Sequence, residues 1–100
     1  SAFDNSPFQA VERDFAFLMP KSVKAIDLIN KIKKIDKKII NKVSIFDVYE
    51  GQKIDENSKS IAIRVLLQPL EKTFSDEEIE SFSNQIIDLI ITGFKASLRK

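Results

Sequence analysis

The chain has no cysteine and no histidine, no tryptophan, and two glycines among 100 residues. Each absence removes a class of chemistry. Without cysteine there is no disulfide, no thiolate nucleophile and no sulfur-ligated metal, which suits a reducing, cytoplasmic setting. Without histidine there is no imidazole base, no Ser-His pair and no His metal site. Gly51 and Gly93 are too far apart to build a phosphate-cradling loop. Carboxylates remain as acid–base groups, but they fall in hairpins and helix starts without a paired-acid pattern. The expectation is a domain that is not a catalyst by itself.

Long apolar runs are also missing. The longest, Ile86 to Phe94, is interrupted by Asp88 and is far too short to cross a bilayer. The start, Ser1-Ala2-Phe3-Asp4-Asn5, has neither the basic region nor the apolar block of a secretory signal. It also lacks a Met, which suggests a fragment. Neither charge sign dominates: 16 Lys and Arg against 15 Asp and Glu leave a net charge of +1. Bulk charge therefore does not announce a nucleic-acid partner. The distribution is less even. Lys31, Lys33, Lys34, Lys37, Lys38 and Lys42 gather in one stretch, and Asp76, Glu77, Glu78 and Glu80 in another. The lysines read first as a solvated helix end, because cations favour the C-terminal pole of a helix, and only second as a phosphate patch.

What is present is 43% hydrophobic and 31% charged, the balance of one globular domain. Ser1 to Gln9 reads as an extended lead-in segment, with the domain running from 10 to 100. Val11 to Met19 alternates as a strand and is closed by Pro20. Ser22 offers a helix cap, and Ala25, Leu28, Ile29, Ile32 and Ile35 follow at helical spacing. Strands are expected over about Asn41 to Tyr49 and Ser60 to Gln68, joined by a hairpin loop. Ser75, with Glu78 three residues on, signals a capping box before the stripe Ile79, Phe82, Ile86, Leu89 and Ile90. Gly93 is placed to end that helix or to permit close packing, and Lys95 to Arg99 leaves room for one short strand.

The order strand, helix, strand, strand, helix, strand predicts an α+β fold. It is the ferredoxin-like βαββαβ arrangement, a four-stranded antiparallel sheet with two helices on one face. A period of two then sorts the hairpin residues. Phe46, Val48, Ile61, Ile63, Val65 and Leu67 are expected to face the core. Asp47, Tyr49, Ser60, Ala62 and Arg64 are expected on the helix-free side. In RNA-recognition modules that open side is where bases stack. Plainer readings stand beside this one. Asp47 and Arg64 would form a cross-strand ion pair, and Tyr49 would be an ordinary aromatic at the hairpin mouth. Phe15 and Phe17 read as core beneath the helices.

Five stretches carry a more specific resemblance. They are Arg13-Asp14-Phe15-Ala16-Phe17, Phe46-Asp47-Val48-Tyr49-Glu50-Gly51, Lys59-Ser60-Ile61-Ala62-Ile63-Arg64, Thr73-Phe74-Ser75-Asp76-Glu77-Glu78 and Leu98-Arg99. In this order and spacing, over about residues 6 to 99, the chain resembles the ferredoxin-fold anticodon-binding domain at the C-terminus of the bacterial phenylalanine–tRNA ligase beta subunit. It departs at one motif: the family's Phe-Pro-Ala-Val-Arg-Arg-Asp is here Phe8-Gln9-Ala10-Val11-Glu12-Arg13-Asp14.

The resemblance implies that the domain binds the tRNA(Phe) anticodon stem-loop and recognises a guanine at the first anticodon position. It puts Asp47, Tyr49, Ser60 and Ala16 at the base-binding positions, with Arg64 and Arg99 as phosphate or sugar partners. It implies no catalytic or metal residue in this fragment. ATP and Mg2+ would serve a full class II ligase with an alpha2beta2 architecture, whose partners are the rest of the beta subunit and the alpha subunit. The competing expectation is a ferredoxin-like regulatory or protein-interaction domain that binds no RNA, in which a partner would cover the open face.

Overall fold

The computed structural model describes residues 8–99; most of the lead-in segment, and Lys100, lie outside the described residues. Six elements follow the expected order: β1 (Val11–Pro20), α1 (Ala25–Lys33), β2 (Ile40–Tyr49), β3 (Ser58–Leu67), α2 (Asp76–Phe94) and β4 (Ser97–Leu98). The strands form one antiparallel sheet in the order β2-β3-β1-β4, so β3 and β1 are central and β2 and β4 are edges. This is the ferredoxin-like fold.

The core follows parity. Phe15, Phe17 and Met19 of β1, together with Ile61, Ile63, Val65 and Leu67 of β3, are buried in one cluster with Leu28 and Ile32 of α1 and Ile86 and Ile90 of α2. Each such aliphatic or aromatic side chain contributes roughly 1.5–3 kcal/mol by leaving water. This is why the alternation in the central strands is kept strictly. Lys59 shares the core parity and sits at the sheet's end, where its ammonium donates to the Val23 carbonyl at the approach to α1.

The edge strand β2 departs from the expectation. Phe46 was expected in the core and is instead 49% exposed. The cause is a change of register: Ile45 pairs with Ile63 while Asp47 pairs with Ala62, so Phe46 has no partner on β3. One extra residue of this kind is a β-bulge. Uninterrupted alternation from Val43 and Ile45 would send Asp47 and Tyr49 into the core, where an unpaired carboxylate is costly. The bulge resets the parity. Val48 was also expected in the core; it pairs with the buried Ile61, but near the hairpin end of an edge strand it remains 52% exposed and outside the core cluster. A second irregularity at Asn41 separates the pairs Ile40–Leu67 and Lys42–Leu66.

Helix ends differ in how they close. At α2 the capping box forms in full: the Ser75 amide donates to Glu78 Oε1 at 3.0 Å and the Glu78 amide donates to Ser75 Oγ at 3.1 Å. Those hydrogen bonds, the one from the Ser75 backbone foremost, hold the Glu78 carboxyl below the usual glutamate range. Ser22 does not cap α1; Lys24 occupies that position without a side-chain hydrogen bond. Ile35 lies past the end of α1 and still packs on the core. Gly93 does not end α2 either. The helix continues to Phe94, and Lys95 adopts the left-handed conformation that closes it, at φ 53° and ψ 42°. A Cβ at Gly93 would meet nothing within 4 Å.

The C-terminal end of α2 thus carries a glycine where a side chain is free to stand and a lysine where glycine suits the backbone. Gly93→Ala and Lys95→Gly are each expected to stabilise the fold by roughly 0.5–1 kcal/mol, measurable as higher urea midpoints. Ser75→Ala is expected to cost about 1 kcal/mol through the lost cap. Because folding lowers the Glu78 pKa, its stabilisation is complete above the ordinary glutamate range and is lost as pH falls through the lowered value. Glu78→Gln should therefore flatten the acid limb of a stability–pH curve while leaving the neutral limb's slope unchanged.

Candidate nucleic-acid interface

The helix-free face is laid out in rows across the strands. At the hairpin end, Tyr49, Ser60 and Leu18 are paired in register, followed by Ser97 of β4. The next row is Asp47, Ala62 and Ala16. Beyond the bulge come Ser44, Arg64 and Asp14, then Lys42, Leu66 and Glu12. Asp47 and Tyr49 therefore share one face, as expected, and both are exposed, Tyr49 at 41%. The alanines beside Asp47 leave a low floor between taller neighbours. The Asp47 carboxylate makes no hydrogen bond or ion pair among the described residues.

Three local devices hold the surrounding side chains. At the C-terminal edge, the Arg99 amide donates to the Ala16 carbonyl at 2.8 Å and so fastens the chain past β4 to β1. Its guanidinium Nη1 donates to Ser60 Oγ at 2.9 Å and its central carbon lies 6.0 Å from the centre of the Tyr49 ring. Ser60, on a central strand between Tyr49 and Leu18, is only 6% exposed. Its hydroxyl is turned to Arg99.

Tyr49 is held by a different constraint. A Cβ placed on Gly51 would collide with the phenol oxygen and Cζ of Tyr49. Gly51 has no positive φ, so what its missing side chain supplies is space for the Tyr49 ring and not a special backbone conformation. The hairpin thus lets the tyrosine ring lie back over its own turn.

Further along the face, Arg64 clamps Asp14. Nε donates to Oδ1 and Nη2 to Oδ2, each at 2.9 Å, and Glu12 lies 3.8 Å away. The hydrogen bond from Arg64 holds the Asp14 carboxyl below its ordinary range, and the same contact raises the guanidinium's own pKa. The alternative pairing of Arg64 with Asp47 does not form. Both side chains of the Arg64–Asp14 pair are more than two-fifths exposed, so its contribution is to orientation more than to stability. The guanidinium also lies over Phe46, 4.7 Å from its ring centre.

The sequence reading did not give Phe46 to this face, nor Asp14 to Arg64, nor Ser60 to Arg99. The lysines from Lys31 to Lys38 are exposed around the end of α1, apart from these rows. Among the described residues no group of three or more His, Cys, Asp and Glu is placed to hold a metal ion. Among them, too, no helix is long and apolar enough to cross a membrane.

Comparison with known proteins identifies the family of the domain. The family model described as the ferredoxin-fold anticodon binding domain matches residues 6–99. A phenylalanine–tRNA ligase beta subunit from Bradyrhizobium diazoefficiens is 50% identical over 94 residues, covering 94% of this chain and 12% of the relative. Counterparts from Nitrobacter winogradskyi and Zymomonas mobilis are 44% and 51% identical over 92% and 82% of the chain, or 11% and 10% of their own lengths. The chain thus spans about a tenth of the length of the curated relatives it matches. It belongs to the ferredoxin-fold anticodon binding domain family.

Proposed function

We propose that residues 10–100 bind the anticodon stem-loop of tRNA(Phe) on the helix-free face, as the anticodon-reading part of a cytoplasmic phenylalanine–tRNA ligase beta subunit. The single observation that carries this reading is the row of Asp47 beside Ala62 and Ala16, with Tyr49 on the same face and both functional side chains exposed. An ionised aspartate only accepts hydrogen bonds, so Asp47 suits the N1–H and N2–H₂ donors of guanine. Adenine offers no donor at either of those positions. Tyr49 supplies a ring on which an unpaired base stacks, and Ala16 leaves the space the base occupies.

The remaining candidates take graded parts. Arg99 reaches a sugar or phosphate from the position that Ser60 holds for it, so Ser60 works on RNA through that hydrogen bond as well as at the base edge. Arg64 offers the outward part of its guanidinium while Asp14 fixes its plane. These cations give the interaction a strong salt dependence, because phosphate contacts release counterions.

The parent enzyme would join this domain to the rest of the beta subunit and to an alpha subunit in an alpha2beta2 assembly. ATP and Mg2+ would act there. The residues here do not fit either group, since the two glycines form no phosphate loop and the described acids form no cluster.

Titrating the chain with stem-loops that begin the anticodon with guanine or adenine tests the reading. Guanine is expected to bind more tightly by roughly 5- to 150-fold, a bidentate base contact being worth roughly 1–3 kcal/mol. Asp47→Ala should erase most of that preference. Gly51→Ala, which displaces the Tyr49 ring without disturbing the core, should weaken both stem-loops alike. Equal affinity of the unmodified chain for both stem-loops would refute guanine readout. An open face that instead recruits a protein partner, with no RNA binding, would favour the interaction-domain alternative.

A further inference from the structure

The bulge accounts for the position of Phe46 in β2 but buries none of its ring in the core. As the unpaired residue of the bulge it is outside the core cluster, and 49% of it faces solvent. Among the exposed large hydrophobic side chains of the described residues, Phe46 and Tyr49 are the two aromatic ones. One side of the Phe46 ring already has a partner: the Arg64 guanidinium lies 4.7 Å from the ring centre and is itself held in a fixed plane by two hydrogen bonds to Asp14. Ring and guanidinium are both planar groups on which a base stacks. Phe46 directly precedes Asp47 in the chain, and Arg64 lies one step along β3 from the row that contains Asp47 and Ala62.

We infer that Phe46 and Arg64 form a second stacking platform, which receives the nucleotide next to the one held at Asp47 and Tyr49. The inference rests on the RNA-binding reading above and extends it to a neighbouring position. The two platforms differ in what they recognise. Asp47 distinguishes bases by their hydrogen-bond donors. Phe46 offers only a π-face, which every base can meet, so it adds affinity without sequence preference. The bulge therefore has two consequences: it returns Asp47 to the open face, and it leaves an aromatic ring beside it.

The experiment compares the unmodified chain with Phe46→Ala, Phe46→Leu and Phe46→Tyr, each first checked for cooperative unfolding. The probes are tRNA(Phe) anticodon stem-loops that are intact, adenine-substituted at the first anticodon position, or abasic at the nucleotide on one or the other side of that position. Phe46→Ala is expected to bind roughly 5- to 100-fold more weakly, equally for guanine and adenine loops, as removal of one stacking partner does elsewhere. Phe46→Tyr should retain the affinity. The penalty should disappear with one of the two abasic loops, the one lacking the base that stacks on Phe46. Phe46→Leu keeps the apolar bulk and carries the test if the alanine variant does not fold; it should lose most of the same affinity.

Unchanged affinity in a folded Phe46→Ala or Phe46→Leu variant, or a penalty that survives both abasic substitutions, would overturn the second platform and leave guanine readout standing. Absence of guanine preference in the unmodified chain would instead overturn the reading on which it rests.

Discussion

A sheet covered by helices on one side obliges every strand to keep its apolar residues at one parity, and β2 meets that obligation only by adding a residue. Val43 and Ile45 belong to the core parity, and so does Val48. These cannot all be satisfied by a regular strand, because an odd step separates Ile45 from Val48. Phe46 absorbs the step. The cost of a locally disrupted ladder on an edge strand is small against burial of the two earlier side chains, each worth roughly 1.5–3 kcal/mol when fully removed from water. The same step brings Asp47 and Tyr49 onto the side without helices. Core packing and the proposed RNA surface thus depend on one backbone irregularity.

Around that surface, side chains are fixed in pairs. Ser60 holds the Arg99 guanidinium, Asp14 holds Arg64, and Gly51 yields the space in which the Tyr49 ring lies. None of these contacts contributes much to folding, since most of the groups are partly exposed. Their value is preorganisation. A side chain already restrained in the free protein gives up less conformational freedom when a ligand arrives. The Asp47 carboxylate, by contrast, makes no hydrogen bond or ion pair among the described residues. The acceptor proposed to read the base is available, and the groups proposed to surround it are braced.

Most of the architecture was legible because it is written in periodicity. The alternation of β1 and β3, the Phe82, Ile86 and Ile90 part of the α2 stripe and the pair Ser75 and Glu78 each state a local physical requirement, and each formed as expected. Ile79 and Leu89 of that stripe stay out of the core cluster, and Ile87 and Ile91 pack on it instead. What failed was local in another sense. Phe46 is apolar and lies between apolar neighbours, so a period of two assigns it to the core; only the pairing register with β3 reveals the extra residue. A conflict was visible in the chain, because counting by twos from Val43 and from Val48 gives opposite faces for Asp47. Gly93 misled because glycine commonly follows a helix, whereas here Lys95 accepts the left-handed conformation. Partner choices such as Arg64 with Asp14 depend on β1 lying beside β3, which no hairpin pattern contains.

Amide chemical shifts of the isotopically labelled chain, followed during titration with the tRNA(Phe) anticodon stem-loop, test the central claim most directly. Binding on the helix-free face predicts the largest changes at Ala16, Asp47, Tyr49, Ser60, Ala62 and Arg99, with the exposed sides of α1 and α2 nearly still. Changes centred instead on Lys31 to Lys38 would show that phosphates are held at a helix end and that the face arranged by the bulge is not where RNA is read.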